Sequence, residues 1–258
     1  MNLIQDEKQF NNFIDNILPD LKNDEVYFIS LSVRNKYLSK DERIFYGLGR
    51  TEMFGREIAD SKEKLKTYTI RKLEANLKSK RTNNGHEVPE KALVLYINVN
   101  PSSMVKAYFN FQEEMNKQIQ EIFFAQSKGK DPNYSFINIM PRALMNSIQK
   151  SGSRKYFIDI DCDTKKPEVV ESLTTSLSNS KIEFHVIETQ GGFHFLIKKD
   201  TIPTNEKLKH LNIQKFNLMR IIQVARDVDG ERNEIEINGN VMVPVPGTNQ
   251  ANFLVRMV

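Results

Sequence analysis

The chain of 258 residues contains a single cysteine, Cys162, so it closes no internal disulfide and offers no set of thiolates for a structural zinc site. Stability must come from packing. No apolar run approaches the ~20 residues that cross a bilayer, and the opening MNLIQDEKQF has neither the basic start nor the apolar centre of a secretory signal. These absences predict a cytoplasmic chain with no membrane partner. Charge of one sign is scarce as well: 37 Lys and Arg stand against 33 Asp and Glu, a formal surplus of +4 that does not by itself argue for a polyanionic partner. What is present suits a globular fold. Hydrophobic residues at 39%, charged residues at 27%, 16 Phe and 8 Tyr exclude a mainly disordered chain, which is poor in aromatics. The length allows one large domain or two small lobes.

The distribution of charge says more than its sum. Residues 61–82 (SKEKLKTYTIRKLEANLKSKRT) hold eight Lys or Arg against two Glu. Such a segment is either a stripe that faces phosphates or a solvated helix face, and both readings stay open. The basic and polar stretch Ser32-Val33-Arg34-Asn35-Lys36, with Arg50 and Arg56, fits template phosphates or plain surface charge equally well.

Residues 1–150 read as an N-terminal α/β module with long helices. Phe10, Phe13, Ile14, Ile17, Leu18 and Leu21 recur at helical spacing up to the turn Lys22-Asn23-Asp24. Val26 to Leu31 and Ala92 to Ile97 are strand candidates. Val105, Tyr108, Phe109, Met115, Ile119, Ile122 and Phe123 mark a long helix that stops near Lys128-Gly129. Residues 151–258 show a different order: strand (YFIDIDC), helix from Pro167 to Leu177, strand (IEFHVIET), a Gly-Gly turn, strand (FHFLIKK), helix from Glu206 to Ala225 with Leu208, Leu211, Leu218, Ile222 and Ala225 on one side, and a strand within 234–245. That order is β-α-β-β-α-β, the split-βαβ or RRM-like arrangement. It packs two helices on one sheet face and is expected to leave the other open to a ligand, so the fold class is α+β with an RRM-like core.

Three stretches carry candidate chemistry. In Ile158-Asp159-Ile160-Asp161-Cys162-Asp163, strand alternation puts Asp159 and Asp161 on one face. Two carboxylates ~7 Å apart repel unless a cation lies between them, and hard oxygen donors favour Mg2+ or Mn2+; an acidic solvent face is the plainer alternative. In Glu188-Thr189-Gln190-Gly191-Gly192-Phe193-His194, the glycines allow close approach of backbone to a ligand, and His194 enters the next strand where its ring can donate to a phosphate oxygen. His185 has no comparable setting and reads as structural. Val245-Pro246-Gly247-Thr248 marks a strand end and a fixed turn.

Taken in this order, the three stretches resemble the motifs of the archaeo-eukaryotic primase superfamily, the primases and primase-polymerases, over about residues 150–258. The resemblance implies a template-dependent nucleotidyltransferase that makes primers from nucleoside triphosphates on single-stranded DNA. It matches Asp159 and Asp161 to the family's metal-binding acids for Mg2+ or Mn2+, and Thr189, Gly191, Gly192 and His194 to its nucleotide-binding loop. The third acid is open between Asp229, which has the hydrophobic-acid context, and Glu236, whose alternation suits a strand beside Asp159. The lysine often found after the Pro-Gly-Thr turn is missing, leaving Lys198 or Arg256 to supply that grip. Unwinding would need a separate helicase, and the small form suits a phage or mobile element in a bacterial cell. Two other classes remain: a non-catalytic single-strand-binding protein, and a nuclease of the rolling-circle type, for which the required His-hydrophobic-His pair is absent.

Overall fold

The computed structural model describes residues 2–49, 51–131, 134, 136–203, 213–229, 235–238 and 242–258. Helix and strand are mixed throughout, so the chain is α+β. In chain order the helices are α1 (Glu7–Asn12), α2 (Lys40–Tyr46), α3 (Lys62–Lys64), α4 (Ile70–Ser79), α5 (Met104–Ser127), α6 (Phe136–Lys150), α7 (Pro167–Asn179) and α8 (Ile213–Asp229). The long strands are β1 (Glu25–Arg34), β2 (Thr51–Ala59), β3 (Leu93–Asn98), then, after the short β4 (Ser102–Ser103), β5 (Phe157–Cys162), β6 (Phe184–Glu188) and β7 (Phe193–Lys198). The C-terminal region adds β8 (Ile235–Asn238), β9 (Met242–Pro244), β10 (Asn249–Gln250), β11 (Phe253–Leu254) and β12 (Arg256–Met257).

The first helix begins as the apolar spacing predicts. Asp6 caps α1 by accepting from the Gln9 N–H, and wider π-type turns continue over Phe13–Ile17. It stops earlier than Leu21, because Pro19 disfavours helical dihedrals at the residue before it and Leu18 is extended. Helix α5 also lies where expected, yet its apolar residues are not a buried stripe: Tyr108, Phe109, Ile119 and Phe123 are exposed, and Ala107 and Met115 are buried. The reason is support. Met104 and Ala107, in the first turns, pack with Val26, Phe28 and Ile148, while further along α5 lies against α6. Helix α6 and strand β2 have no counterpart among the expected elements; Pro141 interrupts the helical pattern of one and Gly55 weakens the strand pattern of the other.

The basic segment 61–82 is mostly engaged with acids. Lys62 pairs with Asp20 and Lys66 with Asp15, each at 2.9 Å, Lys64 pairs with Asp60, Lys72 with Glu57 at 2.8 Å, and Arg81 stands 3.9 Å from Glu87. Its positive charge is therefore largely balanced by neighbours, as in a solvated helix face.

Two sheets carry the fold. The first has the order β2-β1-β3-β9, with β4 beside the start of β1; the second has the order β12-β6-β7-β5-β8. The pairings β8–β5, β5–β7 and β7–β6 are all antiparallel. One face of the second sheet buries Ile160, Cys162, Phe195 and Ile235 against Val169, Leu173 and Leu177 of α7 and Leu218, Ile222 and Ala225 of α8. Leu208 and Leu211 lie outside the described residues, as does the start expected for this helix at Glu206.

The opposite face departs from expectation. It is not open along its length: Phe157, Leu196 and Ile187 are fully buried and join Ile29, Leu95, Ile97, Val243 and Val255 in a core shared by both sheets. The sequence segments interleave to build it. Strand β9 leaves 151–258 to pair with β3, β12 returns to pair with β6, and the buried Asn100 side chain accepts from the Tyr156 and Phe157 N–H groups and donates to the Phe157 carbonyl. The division expected at residue 150 is thus crossed by strand pairing, core and hydrogen bonds. Leu196→Ala tests this shared core directly. A buried leucine costs about 2–5 kcal/mol on truncation, against about 0.5 kcal/mol or less on a solvated face, so urea unfolding of Leu196→Ala should show the larger loss.

Candidate active site

Where the shared core ends, the same face of the second sheet turns polar. Strand β5 sets the register: Asp161 stands opposite His194 on β7 and opposite Glu236 on β8, while Asp159 stands opposite Leu196 and Asn238. Directly opposed residues in antiparallel strands share a face at Cβ separations of ~4.5–5.5 Å. Glu236, Asp161 and His194 therefore form one row across three strands, with Asp159 in the next row. Geometry brings Glu236 into the group. The side chain of Asp229, the other candidate for the third acid, lies outside the described residues.

The burial of the two aspartates differs sharply. Asp159 is 1% exposed and its carboxylate accepts from His194 Nδ1 at 3.0 Å, while Asp161 is half-buried with Oδ1 3.6 Å from the same nitrogen. Burial alone would lower the His194 pKa; the hydrogen bond and charge of Asp159, aided by Asp161 and Asp163, outweigh it and hold the imidazole above its ordinary value. Asp161 is pushed up to about 6, first by burial, then, against the attraction of His194, by the like charges of Asp159, Asp163 and Glu236. Three aspartates thus act on one imidazole and Glu236 acts on Asp161, which is an electrostatic setting for a cation.

The loop that joins β6 to β7 closes on itself. Thr189 N–H donates to the Gly192 carbonyl at 2.9 Å, the Thr189 hydroxyl contacts Gly192 at both N–H and carbonyl, and the Gln190 N–H donates to Gln250 Oε1 at 2.8 Å. Gly192 is required by packing, since a Cβ there would stand 1.9 Å from the Cys162 carbonyl oxygen. The expectation that Thr189 and both glycines present free donors to phosphate is therefore corrected: of the loop's N–H groups, that of exposed Gly191, beside Asp163, is the one that makes no hydrogen bond among the described residues. Lys198 is corrected too. It sits at the far end of β7, ~13 Å from His194 by strand rise, and pairs with Glu183 at 3.0 Å. Arg256 pairs with Glu188 at 2.7 Å.

The Pro-Gly-Thr turn is an anchor. Gly247 has φ +85° and its carbonyl accepts from the Gln5 and Asp6 N–H groups, with the Asp6 carbonyl 2.4 Å from where a Cβ would be. It fastens the start of α1 to the C-terminal region. His185 is half-buried with its pKa lowered by burial and then by Lys198, and its ring lies 6.1 Å from Phe157, in keeping with a structural role.

Residues of the first sheet complete the surroundings. Arg34 donates to the Tyr96 hydroxyl at 2.8 Å, and Tyr96 is close enough to Asp161 to feel its charge. Gln250 lies near enough to Tyr37 and Tyr96 to act on both hydroxyls, although that of Tyr37 is buried without a hydrogen-bond partner among the described residues. Arg34 is legible in the sequence only as one basic residue among several, and Tyr96 only as part of an apolar strand, because the pairing of the two and the nearness of Tyr96 to Asp161 depend on how distant strands pack.

Comparison with protein-family models, curated proteins and solved structures finds no match. The site must be judged on its chemistry. Its carboxylate oxygens are hard donors that share a face, so they fit Mg2+ or Mn2+ in hardness and charge. Among the described residues no three such groups already stand at the spacing of a metal's ligands.

Asp161 supplies a test independent of activity. Its native pKa, about 6, exceeds the ordinary 3.8, so the folded state binds this proton more tightly than the unfolded one, and stability falls as pH rises through that window. Asn cannot ionise. Asp161→Asn should match the wild type near pH 4 and exceed it by about 2–3 kcal/mol at pH 8, read by urea unfolding at the two pH values.

Proposed function

We propose that this chain is a metal-dependent nucleotidyltransferase of the primase and primase-polymerase type, extending a strand on a single-stranded DNA template from nucleoside triphosphates. One observation carries the reading: Asp159 and Asp161 from β5, His194 from β7 and Glu236 from β8 converge on one sheet face. The strand order β8-β5-β7-β6 with α7 and α8 on the reverse face supports an RRM-like core, since it is the order a split βαβ unit takes.

In this reading Asp159, Asp161 and Glu236 hold Mg2+ or Mn2+, which when bound stabilises the attacking 3′-hydroxyl and the leaving pyrophosphate. The protein's own groups divide the rest. Asp159 takes the His194 Nδ1 proton in a hydrogen bond and so orients the ring, leaving Nε2–H to donate to a triphosphate oxygen. The raised pKa of His194 favours the cationic ring as an anion approaches. The Gly191 N–H is the second donor at the same loop. Tyr96 and Arg34 form the facing wall, where the guanidinium offsets negative charge on substrate or template. A helicase would be a separate protein.

The assay is direct: single-stranded template, Mn2+ and labelled ribo- or deoxynucleotides, with extended products as the readout. The wild type should extend, and Asp161→Asn should lose more than the about 10–100-fold that removing a mere outer-shell partner of a metal ligand costs. Asp161 is the better probe than Asp159, because Asp159 is buried against His194 and its replacement leaves the imidazole unpaired. Wild-type extension retained by Asp161→Asn would exclude this assignment of the acids. Metal-independent binding of single strands without any extension would favour the non-catalytic binding protein. His194→Gln should raise KM for the nucleotide more than it lowers kcat, checked by initial rates over a nucleotide series.

A further inference from the structure

The first sheet carries a second feature that the acid cluster does not use. Between β2 and α6 lies a cleft of ≈ 650 Å³ whose walls include Arg56 and Phe54 on the strand side and Arg142, Met145 and Asn146 on the helix side. The two arginines face one another across it. Arg56 donates to Asn146 Oδ1, and no carboxylate pairs with Arg56 or Arg142 among the described residues. Glu52 also lines the cleft, but its Oε1 already accepts from the Gly49 N–H at 2.7 Å and from Asn83 Nδ2 at 3.1 Å. Burial and then the charge of Arg142 lower the pKa of Arg56. Two guanidiniums held together without an acid are a planar-donor pair awaiting an oxyanion.

The position of the cleft matters. Arg56 stands opposite Ser30, and Ser30 opposite Tyr96, so these three share one face across β2, β1 and β3. Two strand spacings, ~10 Å, separate Arg56 from Tyr96, and Tyr96 is the residue that feels the Asp161 charge. The geometry points to the β2–α6 cleft as a binding site for a backbone phosphate of a single nucleic-acid strand that runs along this face towards the acids. The guanidiniums of Arg56 and Arg142 take the phosphate oxygens, and Met145 with Phe54 supplies an apolar wall for the adjoining sugar or base. This rests on the nucleotidyltransferase reading only for the direction of the strand; phosphate capture by the arginine pair stands apart from it.

The experiment is metal-free binding of fluorescein-labelled oligothymidylate by anisotropy over a salt series. Arg142 is exposed, so Arg142→Ala should leave unfolding unchanged while reducing the slope of log K against log salt by about 0.7, and the pair Arg56→Gln with Arg142→Ala by about 1.4. Asp161→Asn should bind as tightly as the wild type or tighter. An unchanged slope in Arg142→Ala and in the pair overturns the site even if the protein synthesises strands; a reduced slope with no synthesis upholds the site and refutes the activity. Excess ATP or inorganic phosphate identifies the source of the phosphate: oligothymidylate that stays bound supports a strand, and its displacement from the wild type to the level of the paired variant assigns the cleft to a free phosphate compound and overturns the strand.

Discussion

The face of the second sheet that turns away from α7 and α8 has to satisfy two opposed demands, and the rest of the molecule follows from how it divides them. Phe157, Leu196 and Ile187 need burial, whereas Asp161 and Glu236 need solvent or a counter-charge. The chain answers by packing the first sheet over the apolar part and ending that packing where the acids begin. Asp159 sits on the boundary. Its burial is tolerable because His194, on the neighbouring strand, contributes a hydrogen-bond donor and a ring whose protonation the acids favour.

That division gives the polar edge its chemistry. A fully solvated acidic face would have carboxylates close to their ordinary behaviour, and a fully buried one would not be reached by a ligand. Partial burial instead holds Asp161 well above the usual carboxylate range and keeps His194 protonatable, so the cluster stores electrostatic repulsion that a bound cation relieves. The cost appears as lower stability at neutral pH, a form of strain common at functional sites. Nearby glycines serve packing: Gly192 lets the β6–β7 loop lie against the end of β5, and Gly247 lets the C-terminal turn receive the start of α1.

The two halves of the sequence are joined more closely than their separate patterns suggest. Strands β9 and β12 flank the β10–β11 hairpin and pair with different sheets, and Gln250, within that hairpin, accepts from the 189–192 loop and lies near Tyr96 of the first sheet. A disturbance in the last seventeen residues would therefore reach the acid cluster, the shared core and the seat of α1. The arginine cleft lies on the same sheet face as Tyr96, two strands away.

Local pattern was enough to place β5, α7, β6 and β7, since strand alternation and helical spacing depend on neighbours in sequence. The same alternation put Asp159, Asp161 and His194 on one face and favoured Glu236 beside them. It could not say what covers that face, because Leu196 and Phe157 read alike whether they meet solvent or another sheet. It could not assign the loop's N–H groups either, for Gln250 reaches Gln190 from sixty positions away. The basic run 61–82 left a phosphate stripe and a solvated helix face both open from sequence, because its partners Asp15, Asp20 and Glu57 come from other elements and only in the fold balance it. Arg56 and Arg142 lie 86 positions apart by their numbers and meet only because α6 packs beside β2. Side-chain direction is a property of the local backbone, whereas burial, counter-charge and cavities belong to the contacts between distant segments, and only the folded chain decides those.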